Sequence, residues 1–188
     1  MRAPEGTVWT FDPGALCLEL LLTGGPGALV RHEVLHRPAD LAVWLSRSRL
    51  RLPAGHLVVS PADVAGARVL RDALWRLVRA WIAGEAGDAA DLAVVNQDAA
   101  GSDLAPLARA DGAAGWVLPA SGAQALATVA RDAIRLRTGR HRDRLRECAA
   151  GDCFLVFVDT SRPGGRRWCS MQRCGNRQKA RLLRARQS

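Results

Sequence analysis

The chain has 188 residues, 48% of them hydrophobic, and a net charge of +9. That length admits one domain with a real core plus a small appendage too short to fold unaided. Five cysteines, an odd count, argue against a secreted disulfide scaffold; the opening Met1-Arg2-Ala3-Pro4-Glu5-Gly6 lacks the layout of a signal peptide, and the apolar run Ala15 to Leu22 is broken by Glu19 and far short of a membrane span, so a cytoplasmic protein is expected.

Residues 1–140 read as a mainly helical domain. Cys17 lies inside the first apolar run and reads as a buried small hydrophobe. After the turn-rich Thr23-Gly24-Gly25-Pro26-Gly27, Pro38 can open a short helix through Leu41, Trp44 and Leu45 that buries one aromatic. Ser60-Pro61-Ala62-Asp63 combines an N-cap, a proline at the first helical position and an early acid. The helix it opens carries Val64, Ala67, Leu70, Leu74, Leu77, Val78, Trp81 and Ile82 as its apolar stripe, and Gly84 is its stop. Ala89 to Ala99 reads as another short helix. Around Asp111-Gly112, a favoured two-residue hairpin turn, Leu104 to Arg109 can pair with Gly115 to Pro119. Ser121 and Gln124 make a capping box for a helix with Leu126, Val129, Ala130, Ala133 and Ile134 on one face, ending at Gly139. His32, His36 and His56 show no ligand or nucleophile spacing.

The second unit, residues 141–188, differs in charge. From Arg135 to Ser188 there are fifteen Lys plus Arg against four acids, a balance of +11; residues 1–134 hold the other twelve basic and fourteen acidic side chains, a balance of −2. A bias toward arginine codons would act on the whole chain and does not explain a neutral body with a basic tail.

Within this unit Cys148 and Cys153, then Cys169 and Cys174, form two C-x4-C pairs with fifteen residues between them. Four thiolates in two tight turns suit tetrahedral zinc, about 2.3 Å from each sulfur. One structural zinc ion held by Cys148, Cys153, Cys169 and Cys174 is therefore expected, with no open position for catalysis. Its binding, worth roughly 10–16 kcal/mol in small peptides, would supply the folding energy that some forty residues cannot get from burial. Phe154 to Val158 is the strongest strand signal in the chain, and Arg166-Arg167-Trp168 reads as its return strand. Trp168 is assigned to the small core as a cover for the metal, and His141 to the basic surface. With no long Pro or Gly linker, the unit is expected to dock on the body or follow rigidly from it.

From Ser170, read as an N-cap, the composition to Arg186 favours a helix with Gly175 as its weak point. On a helical wheel Met171, Gln178, Leu182 and Ala185 share one arc, and Arg173, Arg177, Arg181 and Arg184 fall within about 80° on the opposite side. Knuckle, hairpin, then helix carrying the last ligand pair is a treble-clef-like arrangement, with looser ligand spacing than its usual C-x2-C. The arginine face suits phosphate binding, with Arg166, Arg167 and Lys179 added to the footprint; the competing reading is a solvated face that keeps the protein soluble. Asn176 points away from the centre of that face and reads as a hydrogen-bonding residue of the second cysteine turn.

The string Cys174-Gly175-Asn176-Arg177, with Asp159-Thr160-Ser161-Arg162 and Arg166-Arg167-Trp168-Cys169-Ser170, resembles the CGNR zinc finger. Upstream, Leu18-Glu19-Leu20-Leu21-Leu22-Thr23, Asp40-Leu41-Ala42-Val43-Trp44-Leu45, Leu70-Arg71-Asp72-Ala73-Leu74 and Leu92 to Asn96 are similar to the ABATE domain, although Leu22 stands where that family tends to have Asn. The resemblance implies a stress-response transcription regulator: a mainly α (α+β) protein whose helical domain positions, or senses for, a DNA-binding finger. The alternative is a zinc-stabilised module for RNA or an acidic protein partner. A small-molecule effector of the body is compatible with this pattern. An enzyme is not expected, because the sequence has no phosphate loop, no H-E-x-x-H and no nucleophile elbow.

Overall fold

The computed structural model describes residues 11–185, without the side chain of Leu182. The sequence expectations on residues 1–6, on the Leu182 side chain and on a helix reaching Arg186 fall outside the described residues.

The body is built on helices α1 (Leu16–Leu20), α2 (Pro38–Arg47), α3 (Pro61–Ile82), α4 (Ala89–Ala100) and α5 (Gly122–Thr138). Local chemistry sets the two long ones. Ser60 Oγ accepts from the Asp63 N–H at 3.2 Å while the Asp63 carboxylate accepts from the Ser60 N–H at 2.7 Å. Ser121 and Gln124 make the same reciprocal pair, at 3.1 and 2.9 Å, so each helix starts with two of its unpaired backbone donors satisfied. Gly84 ends α3 region at φ +82°, a conformation in which a Cβ would be strained.

The stripe predicted for α3 is buried from Val64 to Trp81, with Ile82 only partly covered. On α5 the inward face is Ala125, Leu126, Val129, Ala130, Ala133 and Leu136; Ile134, expected inside, lies at the exposed edge because the covering elements sit to one side of the predicted arc. Trp44 of α2 is half-buried against the same core. Beneath α5, the Cys17 N–H donates to Asp132 at 2.8 Å, and Cys17 is buried as expected.

Short strands close the body. β1 (Leu57–Val58) pairs in parallel with β4 (Ala120–Ser121), while β2 (Pro106–Ala108) and β3 (Ala114–Trp116) form the antiparallel hairpin foreseen around Asp111-Gly112. Its connection is longer than two residues: Arg109 and Ala113 close the ladder at 2.9 Å, and Gly112, at φ +78°, donates to the Arg109 carbonyl at 3.0 Å. Trp116 ties this hairpin to the body by donating to the Leu50 carbonyl at 2.8 Å.

Arg71 is the charged residue most deeply buried in this core. Its guanidinium lies 2.9 Å from both Glu33 and Asp72 and reaches the Thr23 carbonyl at 3.4 Å. Gly24, at φ +141°, leaves it room, since a Cβ there would stand 2.8 Å from Arg71 Nη1. Burial raises the Glu33 pKa, but hydrogen bonds from Arg71 and the Leu35 N–H, with the charges of Arg71 and Arg68, outweigh it and hold the carboxyl below its usual value.

The C-terminal unit departs from the expected hairpin. β6 (Val156–Val158) pairs antiparallel with β5 (Leu145–Glu147), which precedes the first cysteine, and residues 166–168 form no strand. The alternation of β6 explains the choice. Val156 and Val158, with Leu145 across from Val158, belong to the body core, whereas Phe157, on the opposite face, packs in the cysteine cluster. β6 is thus a wall shared by two cores. Arg79 of α3 and Glu147 of β5, 3.4 Å apart, add an ion pair across the same junction. Among the described residues no helix is long and apolar enough to cross a membrane.

Candidate metal centre and basic surface

The two cysteine turns are held by backbone bonds. The Cys148 N–H donates to the Leu155 carbonyl and the Cys153 N–H to the Ala150 carbonyl, both at 2.9 Å, so the first pair brackets a tight turn opened from the β5–β6 hairpin. Of the second pair, Cys169 stands just before, and Cys174 on, a wide turn of helix, Met171–Gly175, that leads into α6 (Asn176–Ala185). The helix expected from Ser170 therefore runs without a gap from Met171 into α6 but opens on a wide turn, and Ser170 gives no side-chain cap. A Cβ on Gly175 would stand 2.6 Å from the Met171 sulfur and 3.2 Å from Trp168, so a side chain there would push the Met171 thioether aside. Asn176 is exposed, and the Gly175 N–H to the Ser170 carbonyl, at 3.1 Å, closes the turn instead.

These turns bring Cys148, Cys153, Cys169 and Cys174 together, all four buried and all four sulfurs within 4.8 Å of one another. Cys153 and Cys169 Sγ are 3.8 Å apart and Cys169 and Cys174 Sγ 3.5 Å. Disulfide bonds need about 2.05 Å, whereas sulfurs at the corners of a zinc tetrahedron stand about 3.8 Å apart. The donor set also asks for a cation. Hydrogen bonds from the Cys153 and Cys169 thiols lower the Cys148 pKa, and bonding to Cys148 in turn raises that of Cys153 and, together with Cys153, that of Cys169. One thiolate crowds out the others; a divalent ion is what allows four to ionise together. The Cys169 N–H, 3.4 Å from Cys148 Sγ, and Arg177 Nη2, 3.6 Å from Cys174 Sγ, temper the negative charge. Phe157 and Trp168 cover the cluster, so Trp168 has the place expected of it.

The seven predicted nucleic-acid contacts divide. Arg166 is turned inward: its guanidinium stacks 4.1 Å from the Phe157 ring centroid, donates to the Trp168 carbonyl at 3.1 Å and reaches the Cys169 carbonyl at 2.6 Å. It is part of the scaffold, because planar, weakly hydrated guanidinium can sit on an aromatic face and satisfy carbonyls at once. Asp159 fixes the loop before it, accepting from the Ser161 hydroxyl and N–H and from the Arg166 N–H. Arg173 and Arg177 are half-buried, while Arg167, Lys179, Arg181 and Arg184 are exposed.

Of the wheel's apolar arc, Gln178 is partly covered and Ala185 exposed. Met171 is 49% exposed, and it is the arginine side that faces the first cysteine turn, where Asp152 pairs with Arg177 at 2.6 Å and Arg181 at 3.3 Å. Sequence periodicity missed Asp152, which is remote in sequence and marked only by its place next to Cys153. Beside the metal site, residues 165–172 line an open groove of about 690 Å³, with Arg167 lying 5.2 Å over the Trp168 ring at its edge. His141 sits on the surface beside Arg140, as read from the sequence.

A four-cysteine knuckle pair joined to a strand hairpin and a helix, set on a helical body, defines a zinc-finger protein of mixed architecture. Residues 14–140 match the ABATE family, described as "Putative stress-induced transcription regulator", and residues 144–187 match the CGNR zinc finger. The chain belongs to the ABATE family and carries the CGNR zinc finger at its C-terminal end. No curated protein matches it.

Proposed function

We propose that this protein is a cytoplasmic, DNA-binding transcription regulator in which residues 1–140 position the finger, residues 141–188, and the finger binds the phosphate backbone without catalysing a reaction. One zinc ion per chain, on Cys148, Cys153, Cys169 and Cys174, orders the finger; four thiolates complete a tetrahedral shell and leave no position for a substrate. The observation that carries the proposal is the concentration of charge: residues 141–188 hold twelve basic and four acidic side chains, a balance of +8, against +1 for residues 1–140, and this charge lies on the unit that carries the four-cysteine cluster. The contact surface is narrower than the sequence suggested. It comprises exposed Arg167, Lys179, Arg181 and Arg184, with Arg173 and Arg177 at its inner edge, while Arg166 works inside the scaffold.

Such a surface supplies affinity through counterion release and little sequence discrimination on its own. The test is anisotropy of labelled duplex DNA across a salt series. Reversing Lys179, Arg181 and Arg184 to Glu together should weaken binding by more than about tenfold and flatten the salt slope by about three. Binding that is absent in the wild type, or indifferent to the reversal, would sink the proposal. Competition with structured RNA and an acidic polypeptide at equal ionic strength identifies the alternative partner, because a clear preference for either displaces duplex DNA.

A further inference from the structure

Two guanidinium groups one turn apart on α6 converge on one carboxylate. Arg177 Nη2 lies 2.6 Å from Asp152 Oδ1, and Arg181 Nη2 lies 3.3 Å from Asp152 Oδ2. Both sides of this cluster hang from metal ligands: Asp152 directly precedes Cys153, and Arg177 follows Cys174 by three residues and touches its sulfur at 3.6 Å. Closing the four-cysteine site therefore brings the carboxylate to the arginines.

We propose that Arg177 and Arg181 form a phosphate-binding pair whose place Asp152 holds in the free protein, and that a nucleic-acid phosphate binds by displacing this carboxylate. The inference rests on the DNA-binding reading above and adds to it a specific subsite and an internal competitor. A carboxylate and a phosphate offer guanidinium groups a similar pair of oxygens, so one can substitute for the other. Exposure decides whether the exchange is feasible. The side chains of Arg177, Asp152 and Arg181 are 32, 47 and 49% exposed. Ion pairs this wet are screened and contribute little, whereas a polyanion gains from counterion release. Asp152 thus sets a threshold: an isolated anion gains little over the carboxylate already present, and a chain of phosphates gains enough to replace it.

The experiment uses the zinc-loaded full chain and Asp152→Asn, with Asp152→Glu as a control that keeps the carboxylate. In the first arm, inorganic phosphate is titrated while the Arg177 and Arg181 Nε–H NMR signals are followed. Asp152→Asn should respond at about fivefold lower phosphate than wild type, the equivalent of one exposed ion pair, and Asp152→Glu should resemble wild type. Equal response in wild type and Asp152→Asn overturns the proposal. In the second arm, duplex DNA should bind Asp152→Asn about fivefold more tightly, with a salt slope steeper by about one. DNA that binds both proteins equally also overturns it. If the phosphate arm succeeds and DNA binds neither protein, the phosphate pair stands and the DNA reading falls. Should Asp152→Asn lower the zinc content, Arg181→Gln, on the exposed outer turn, approaches from the other side: phosphate must lose its effect on the Arg177 signal, and an unchanged response overturns the pair.

Discussion

The body and the finger solve the same problem, excluding water from a core, with different means. The body buries a broad set of Leu, Val and Ala side chains across α1 to α5. The finger's own cluster of buried residues comprises Cys148, Ala150, Cys153, Phe157, Cys169 and Cys174, so four of its six members are the cysteines that could hold a metal ion. The comparison teaches where each unit's stability lies. Area burial at about 25 cal/mol per Å² sustains the first, and it cannot sustain the second without the ion. Yet the units are not independent, because β6 lends Val156 and Val158 to one core and Phe157 to the other.

The largest effect should come from the metal. Zinc removal by a chelator, or Cys174→Ser, forfeits a binding energy of roughly 10–16 kcal/mol and should unfold α6 and both cysteine turns. The body should stay helical by circular dichroism but melt at a lower temperature, since its shared wall loses support. A body transition that does not move would break the link drawn through β6.

Next come changes confined to the body. Leu74→Ala, at a site 1% exposed, should cost about 2–5 kcal/mol in urea unfolding and leave zinc content unchanged. Arg71→Leu should cost about 3 kcal/mol by stranding Glu33. It also carries a pH signature. The folded pKa of Glu33 lies below its ordinary value of 4.5, so its contribution is present above that pH and is lost as pH falls through the folded pKa. Wild type should therefore lose stability on acidification through this window, and Arg71→Leu should lose less. A parallel decline in both proteins would refute the assignment.

The smallest contrast lies between neighbours. Arg166→Ala should destabilise the finger by about 1–3 kcal/mol, through its carbonyl bonds and ring contact, whereas Arg167→Ala should change stability by about 0.5–1 kcal/mol. Zinc competition with a colorimetric chelator reads both. Equal effects would mean that the inward and outward arginines have been wrongly sorted.

What the sequence made legible were features written in local chemistry. The capping boxes at Ser60 and Ser121 act over three residues, and the cysteine pairs declare themselves by spacing alone. The α3 stripe was readable because a long helix repeats its pattern many times. Pairing between distant segments was not. β5 contains Arg146 and Glu147, which hide the one inward residue, Leu145, while Arg166-Arg167-Trp168 looks like a strand although its first arginine is spent on Phe157 and two carbonyls. The wheel of the last helix put Arg177 and Arg181 on one side, as found, but took that side for open solvent for a related reason. It assumed an even 100° per residue through the wide turn at Met171–Gly175, and it could not know that Asp152 would claim the arginine side.

The two-faced strand β6 bears on portability. A fragment cut at residue 141 would keep every ligand cysteine and could take up its metal, but it would present Leu145, Val156 and Val158 to water, a greasy flank worth about 1.5–3 kcal/mol per side chain when covered. Transplanted onto another protein, this finger would need a new cover for that flank or would find one by clumping. In this architecture the finger is less a cassette than a gable built onto an existing house wall.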